Sequence, residues 1–347
     1  MSAKNFGISV VIPNNNDDQE LISIMKAVCS QTVKPAQIII VDSFDELRTC
    51  PAEIVVMCVE RRIDLSFKYY KGALPGGARN IGLELVNSEL IAFIDVKTIP
   101  RPHWLEASVN ALSAGNVAGV WGSTFFSSQS RFERLVRDGF YGVRPRRTLP
   151  GSVFRFEVFI KNGRFIDWVR AGEDTEWMLR LALHKIPIIS LSSATVDYVG
   201  LIGLDMEQLL RKWYRNYSAS RDLPHFFPQK QLLWLVVYPL LVLIAFNWNY
   251  LIADWQLNSP FYIGHVTKLV TIIPILIYVI VRGVVIPLKR GVQIRQLLPV
   301  RFLAILSICF VADLVKVLML ALWKRRHDAF MPNTDVVPVV KEISSQD

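Results

Sequence analysis

The chain has 347 residues, of which 52% are hydrophobic and 20% charged, and it carries a net charge of +9. Soluble domains run nearer about 45–50% apolar and 25% charged, so the excess points to membrane segments, and it is concentrated after residue 230. The composition excludes a disordered chain, a collagen-like chain and a coiled coil, and the length suits one large domain plus extra segments, or two domains.

Cys29, Cys50, Cys58 and Cys309 contain no CxxC pair, and the histidines show no ligand spacing, so neither a disulfide framework nor zinc is expected. The N-terminus lacks the long apolar stretch of a signal peptide, which places the first part of the chain in the cytoplasm as an expectation. Residues 287–330 hold eight Lys and Arg against Asp313 and Asp328, and residues 131–147 hold six Arg against Glu133 and Asp138. Basic charge beside apolar segments favours an anionic membrane surface, and without a recognised motif nucleic acid is not an expected partner.

Taken in order, Ile8–Ile12 reads as a buried strand ending at Pro13, and Asp17–Ser30 as a helix with apolar residues on one face. Gln37–Val41 is a second strand, closed by Asp42, and Ile54–Val59 a third candidate. Gly76-Gly77 opens a helix to about Asn87, followed by the strand Leu90–Ile94 and then Asp95. The alternation predicts an α/β fold with a mostly parallel sheet, in which ligands bind beyond the carboxyl ends of the strands, where Asp42 and Asp95 sit. Further on, Trp104–Ala114 reads as a helix, Val117–Trp121 as a strand and Arg131–Arg147 as a partly mobile loop. Gly172–His184 and Met206–Tyr217 read as helices.

After residue 230 the chain changes solvent. Leu232–Ala253 has the length to span a bilayer without a charge. Tyr262–Pro287 is a second span, with Lys268 and Arg282 placed to snorkel and Pro274 to kink it. Phe302–Trp323 is a third apolar stretch that contains Asp313 and Lys316, spaced to pair on one helix face. The loop at 254–261 lacks Lys and Arg and is expected outside; the basic loop at 288–301 is expected in the cytoplasm, with residues 1–230. If the third stretch spans, the tail Lys324-Arg325-Arg326 faces outward; if it re-enters, the tail stays inside. The expected division is a domain over 1–230, a membrane region of two or three helices over 231–325, and a tail over 326–347.

Five segments, in order over about residues 7–220, together resemble the family 2 glycosyltransferases: ISVVIPNNN, IIIVDSFDE, GGARNIGLELVNSELIAFIDVKT, LPGSVFRFEVFIKNGRFID and GEDTEWMLRL. The resemblance implies a GT-A type nucleotide-binding domain and an inverting transfer from a nucleotide-sugar donor, UDP-linked by family habit. It implies that Pro13, Asn14, Asn16 and Asp42 form the nucleoside pocket and that Arg79 and Asn80 serve the diphosphate; a turn Asp and a structural ion-pair Arg are the plain alternatives for Asp42 and Arg79. Asp95 begins the metal motif, where family members hold Mg²⁺ or Mn²⁺ with Asp-x-Asp. Here the third position is Lys97, a cation that can meet part of the charge on the leaving diphosphate and make the metal weaker or dispensable. Glu173 and Asp174 match the family's acidic pair, with Asp174 as the base that takes the acceptor proton; helix N-terminal acids are the alternative.

Acceptor contacts are expected from Arg144, Arg146 and Arg147, from Trp121 as a pocket floor or a core residue, and from Arg211 and Trp213 beside the membrane. The cluster Arg211–Arg215 does not match the QxxRW motif of processive synthases, which argues against a long-polymer synthase. The leading expectation is therefore an integral membrane enzyme, of a bacterial inner membrane with its catalytic domain cytoplasmic. It would move one sugar to a lipid-linked polyprenyl acceptor in surface polysaccharide or glycolipid synthesis. A polyprenyl-phosphate sugar synthase and an inactive nucleotide-binding scaffold are the alternatives, and self-association is left open.

Overall fold

Ile8–Asn14 (β1) pairs in parallel with Gln37–Asp42 (β2) on one side and with Leu90–Phe93 (β4) on the other, and β2 pairs in parallel with Asp64–Tyr69 (β3). β1, β2 and β4 face apolar layers on both sides. Ile8, Val10, Ile12, Ile38 and Ile40 enter one core, while Val11, Ile39 and Val41 enter the other. Double burial explains why these strands read as unbroken apolar runs. This is a computed structural model, and it describes residues 7–220, 223, 229–252 and 256–321. The tail 326–347, Lys324 to Arg326 and the last residue of the first and of the third predicted span, Ala253 and Trp323, lie outside the described residues.

The first core is closed by α1 (Asp18–Cys29), α2 (Ala52–Arg61) and, after the short strand β5 (Thr98–Pro100), α4 (Trp104–Ala114). The second is closed by α3 (Pro75–Glu84), and beyond β6 (Gly119–Phe126), α5 (Arg131–Val136) and β7 (Arg146–Arg155) by α6 (Glu157–Asn162) and α7 (Glu173–Leu183). With β8 (Ile188–Ser190) and β9 (Val196–Tyr198), the strands form one mixed, mostly parallel sheet in the order β3-β2-β1-β4-β7-β6-β9-β5, with β8 on β6. The helix α8 (Met206–Ser220) follows.

Two expectations need correction. Residues 54–59 are not a strand but the middle of α2, where only Ile54 and Cys58, one turn apart, are buried and Val55, Val56 and Val59 are exposed. The third strand is β3, a less apolar segment half-covered at the sheet edge. Residues 131–147 are not a loop: α5 runs into a π-helical turn, Arg137–Tyr141, and β7 starts at Arg146.

Helix α3 lies close on β1 because Gly82 has no side chain: a Cβ there would stand 2.4 Å from Val11 Cγ1. Val11 is fully buried and cannot give way, so Gly82→Ala is expected to lower stability by about 1–3 kcal/mol, read as a fall in melting temperature. An unchanged melt would show that the two elements can part.

The described residues divide into two units: residues up to Glu133 with Arg144–Leu223, and Arg134–Val143 with the residues from 229 onward. The second contains α9 (Gln229–Leu251), α10 (Val266–Ile280), a second π-helical turn (Val281–Val285), α11 (Ile286–Lys289), α12 (Ile294–Leu297) and α13 (Arg301–Ala321). Among the described residues, two stretches are long and apolar enough to cross a membrane, Lys268–Lys289 and Arg301–Met319. Asp313 has partners on the preceding helical segment besides the Lys316 expected from the sequence. It accepts from Arg282 at 2.7 and 2.9 Å and from the Tyr278 hydroxyl at 3.0 Å, so Arg282 turns toward α13 rather than snorkelling.

Candidate active site

Strand order reverses direction between β2-β1 and β1-β4, and at such a switch point the carboxyl ends of the strands open a crevice for a ligand. Three polar groups stand there. Asn14, the last residue of β1, donates to Asp42 Oδ2 at 2.6 Å, and the Phe44 backbone N–H donates to Asp42 Oδ1 at 3.1 Å. Both side chains are buried, and Asn14 Oδ1 has no hydrogen-bond partner among the described residues. A buried acceptor without a partner is costly, and a ligand N–H or O–H arriving in the crevice would satisfy it.

Asn16 sits in the left-handed region, φ 59, and its Oδ1 accepts from Arg48 at 3.0 Å. Arg48 also bonds Asp18, comes within 3.9 Å of Asp42 and lies over the Phe44 ring, so it ties the loop after β1 to the loop after β2. Sequence reading missed Arg48, because it lies in an irregular segment with no period to single it out. Pro13 forms part of the β1 end that pairs with Val41.

Arg79 is the hub of the next group. It lies on α3, whose start approaches the 166–173 region through Gly76; a Cβ at Gly76 would fall 1.8 Å from the Ile166 carbonyl oxygen. From there Arg79 Nη2 reaches Asp95 at 2.8 Å and Nη1 reaches Glu173 at 2.7 Å. Its side chain is only 4% exposed. Burial works against the guanidinium charge, but Asp95, Glu173 and Asp174 outweigh it and push its pKa up, so it is permanently cationic. Burial pushes the Glu173 carboxyl up, with Asp174 adding to the rise and Arg79 opposing it. Asn80, beside it, uses its amide on the Phe165 backbone, donating at 2.8 Å and accepting at 2.9 Å.

Asp174 differs from its neighbour. It is partly exposed at the first turn of α7, and its Oδ1 accepts from the Thr175 N–H at 2.7 Å and the Thr175 hydroxyl at 3.2 Å. Lys97 is exposed and lines a small cavity with Glu20 and Gln208, while its charge opposes the burial that raises Asp17. Thr98, next in sequence, has a buried hydroxyl without a partner among the described residues.

The residues present do not build a cage for a divalent ion. Asp95 is a single carboxylate with one oxygen on Arg79, Lys97 stands two residues on, and no three His, Cys, Asp or Glu converge among the described residues.

The expected acceptor residues are spread out. Trp121 is in the core, edge-on to Phe154, with Arg147 over its ring at 5.8 Å. Arg144, Arg146 and Arg147 are exposed, and Arg147 donates to Ser190 at 3.1 Å. Arg211 pairs with Glu207 on α8, and Trp213 is buried.

Residues 9–166 match the family described as Glycosyl transferase family 2. Among curated proteins, the chain is 31% identical over 115 residues to an uncharacterized glycosyltransferase of Nostoc sp., covering 33% of this chain and 35% of that one. It is 23% identical over 185 residues to the glycosyltransferase AglE of Haloferax volcanii, covering 50% and 60%. The chain therefore spans less than two thirds of either relative. Among solved structures, the mannosyltransferase PcManGT of Pyrobaculum calidifontis, in complex with GDP-Man and Mn²⁺, aligns with a TM-score of 0.50 at 11% identity, over 89% of this chain and 86% of that one. At that identity the likeness shows a shared GT-A-like fold.

Proposed function

Because residues 9–166 form a family 2 glycosyltransferase domain, we propose that this chain is a membrane-anchored inverting glycosyltransferase. It moves one sugar from a nucleotide-sugar donor, UDP-linked in the leading case, to a lipid-linked acceptor. The observation that carries the reading is the convergence of Asn14–Asp42 and Asp95–Arg79–Glu173, with Asp174 beside it, around the ends of β1, β2 and β4.

In this reading Asp42 and Asn14 hold the nucleoside, using the open Asn14 acceptor. Asp174 takes the proton of the acceptor hydroxyl as its oxygen attacks the anomeric carbon; the bond from that carbon to the diphosphate breaks, and the nucleoside diphosphate leaves. Lys97 supplies positive charge to the departing diphosphate. The two long apolar helices anchor the chain. The short basic link between them, with Arg290, Arg295 and Arg301, favours the cytoplasmic side. Lys97 in place of a second Asp favours one competing reading, an inactive nucleotide-binding scaffold.

Calorimetry of UDP binding, with Mn²⁺ and then with EDTA, tests the donor and its counter-charge together, followed by donor turnover. The expected result is binding in EDTA, weakened about ten-fold in Lys97→Asp, whose binding becomes dependent on Mn²⁺. Metal dependence that is the same in both proteins removes Lys97 from this role. Binding of UDP without any turnover supports the scaffold.

A further inference from the structure

Two arginines of the first unit have no role in the transfer described so far. In the irregular segment before α7, Ile166 and Val169 point inward and form an apolar cluster with Leu223, while Trp168, 44% exposed, and Arg170 stay on the surface. Leu223 follows α8, so this cluster brings the chain beyond α8 back onto that segment. Gly172 permits the approach: it has φ +93, and a Cβ there would stand 2.7 Å from Leu223 Cδ1. Helix α8 buries Leu209 and Trp213, one turn apart, and its Lys212 donates to the Tyr198 hydroxyl at 3.1 Å and lies over that ring. These contacts fix the helix with Tyr214, 57% exposed, and Arg215 on its outer side.

Arg170 and Arg215 are thereby held near each other. Neither has an ion pair or a hydrogen bond among the described residues. Partial burial pulls the Arg215 pKa below the ordinary arginine value, and the Arg170 charge pulls it further, against Tyr198. Like charges without a counter-charge repel, and an anion between them turns the repulsion into attraction. The paired N–H donors of a guanidinium match phosphate oxygens in particular.

Position favours the acceptor's phosphate over the donor's. Arg170 lies on the segment that leads directly into Asp174, whereas the nucleoside groups Asn14 and Asp42 end β1 and β2. Trp168 and Tyr214 add exposed aromatic rings beside the two arginines, the combination that settles at a membrane–water interface. Helix α8 is also the last element before the apolar helices begin.

We propose that Arg170 and Arg215 together bind the phosphate of the lipid-linked acceptor. The proposal rests on the reading of the chain as a glycosyltransferase that uses such a lipid.

In the test, the full chain in mild detergent is titrated with a polyprenyl phosphate, with the uncharged polyprenol of the same length and with phosphatidylglycerol. Bound lipid is read by native mass spectrometry, and UDP binding by calorimetry on the same protein. The polyprenyl phosphate is expected to bind about ten-fold more tightly than either other lipid. Arg170→Gln and Arg215→Gln are each expected to weaken it about five-fold, and the double variant to bring it to the level of the polyprenol, with UDP affinity unchanged. Arg215→Lys keeps the charge and is expected to fall between wild type and Arg215→Gln. Arg61→Gln on α2 is expected to change nothing. A folded double variant that keeps the full preference overturns the site, as does equal affinity of the wild type for the phosphate and the polyprenol. If the double variant does not fold, the single variants decide by the same criterion. Equal affinity for phosphatidylglycerol gives the pair to bulk lipid, and weakened UDP binding in the variants gives it to the donor diphosphate; either result overturns the acceptor assignment. A wild type without UDP binding or donor turnover fails the glycosyltransferase reading itself, whatever the lipids show.

Discussion

Arg79→Ala is expected to cost about 3–5 kcal/mol of stability and to abolish turnover, because it removes the shared partner of two carboxylates and leaves them facing an uncharged methyl group. In a domain of this size that is a fall in melting temperature of roughly 10 °C. The loss also has a pH signature. Burial and Asp174 already push Glu173 above the ordinary value of 4.5, and Arg79 is the main group that pulls it back. Without that pull the folded-state value rises further. A raised carboxyl is best tolerated while protonated, so the variant keeps most stability below the unfolded-state value and loses it as pH rises through the folded-state value. Its deficit against wild type therefore widens from mildly acidic to neutral pH. Arg79→Lys is expected to fall between the two, since one ammonium cannot span both carboxylates as the guanidinium fork does. A melt of Arg79→Ala within about 1 kcal/mol of wild type, the same at both pH values, would falsify the bridge as the feature that joins β4 to α7.

Much of this frame is legible in the sequence, for physical reasons that differ along the chain. Strands buried on both faces must be apolar throughout, so β1, β2 and β4 stand out, and each ends on or just before a polar residue that the crevice uses. The same rule misleads at α2, whose exposed valines imitate a buried strand; the signal lay in Ile54 and Cys58, which recur at the helical period. Residues 131–147 looked like a loop because arginines and glycines outnumber the apolar residues there. Leu135, Phe140 and Val143 nevertheless pack with Val292 and Ile305, a pairing more than 140 residues apart that no local window contains. Arg79 was legible as a charged group at the donor end of a helix, but its engagement with both Asp95 and Glu173 was not, because Glu173 lies 94 residues away. Asp313 likewise had a partner in view at Lys316, while Arg282, 31 residues away and its hydrogen-bonded ion-pair partner, was not in any local window.

Asp174→Asn is expected to lower kcat by about 10²–10⁴-fold while leaving the melting temperature and UDP affinity near wild type. The contrast with Glu173 supports this choice. Glu173 is 6% exposed and bound to Arg79, so it can neither meet an acceptor nor take a proton without breaking the ion pair. Asp174 is reachable, and its Oδ1 is fixed by two bonds from Thr175, which orients the carboxylate without neutralising it. Glu173→Gln is therefore expected to show the opposite split, with a lower melting temperature accompanying any loss of rate. An Asp174→Asn protein that folds normally and turns over within about two-fold of wild type removes Asp174 from the base role. That outcome points to an acceptor oxygen that is already ionised, as in a lipid phosphate, whose attack on the anomeric carbon releases no proton.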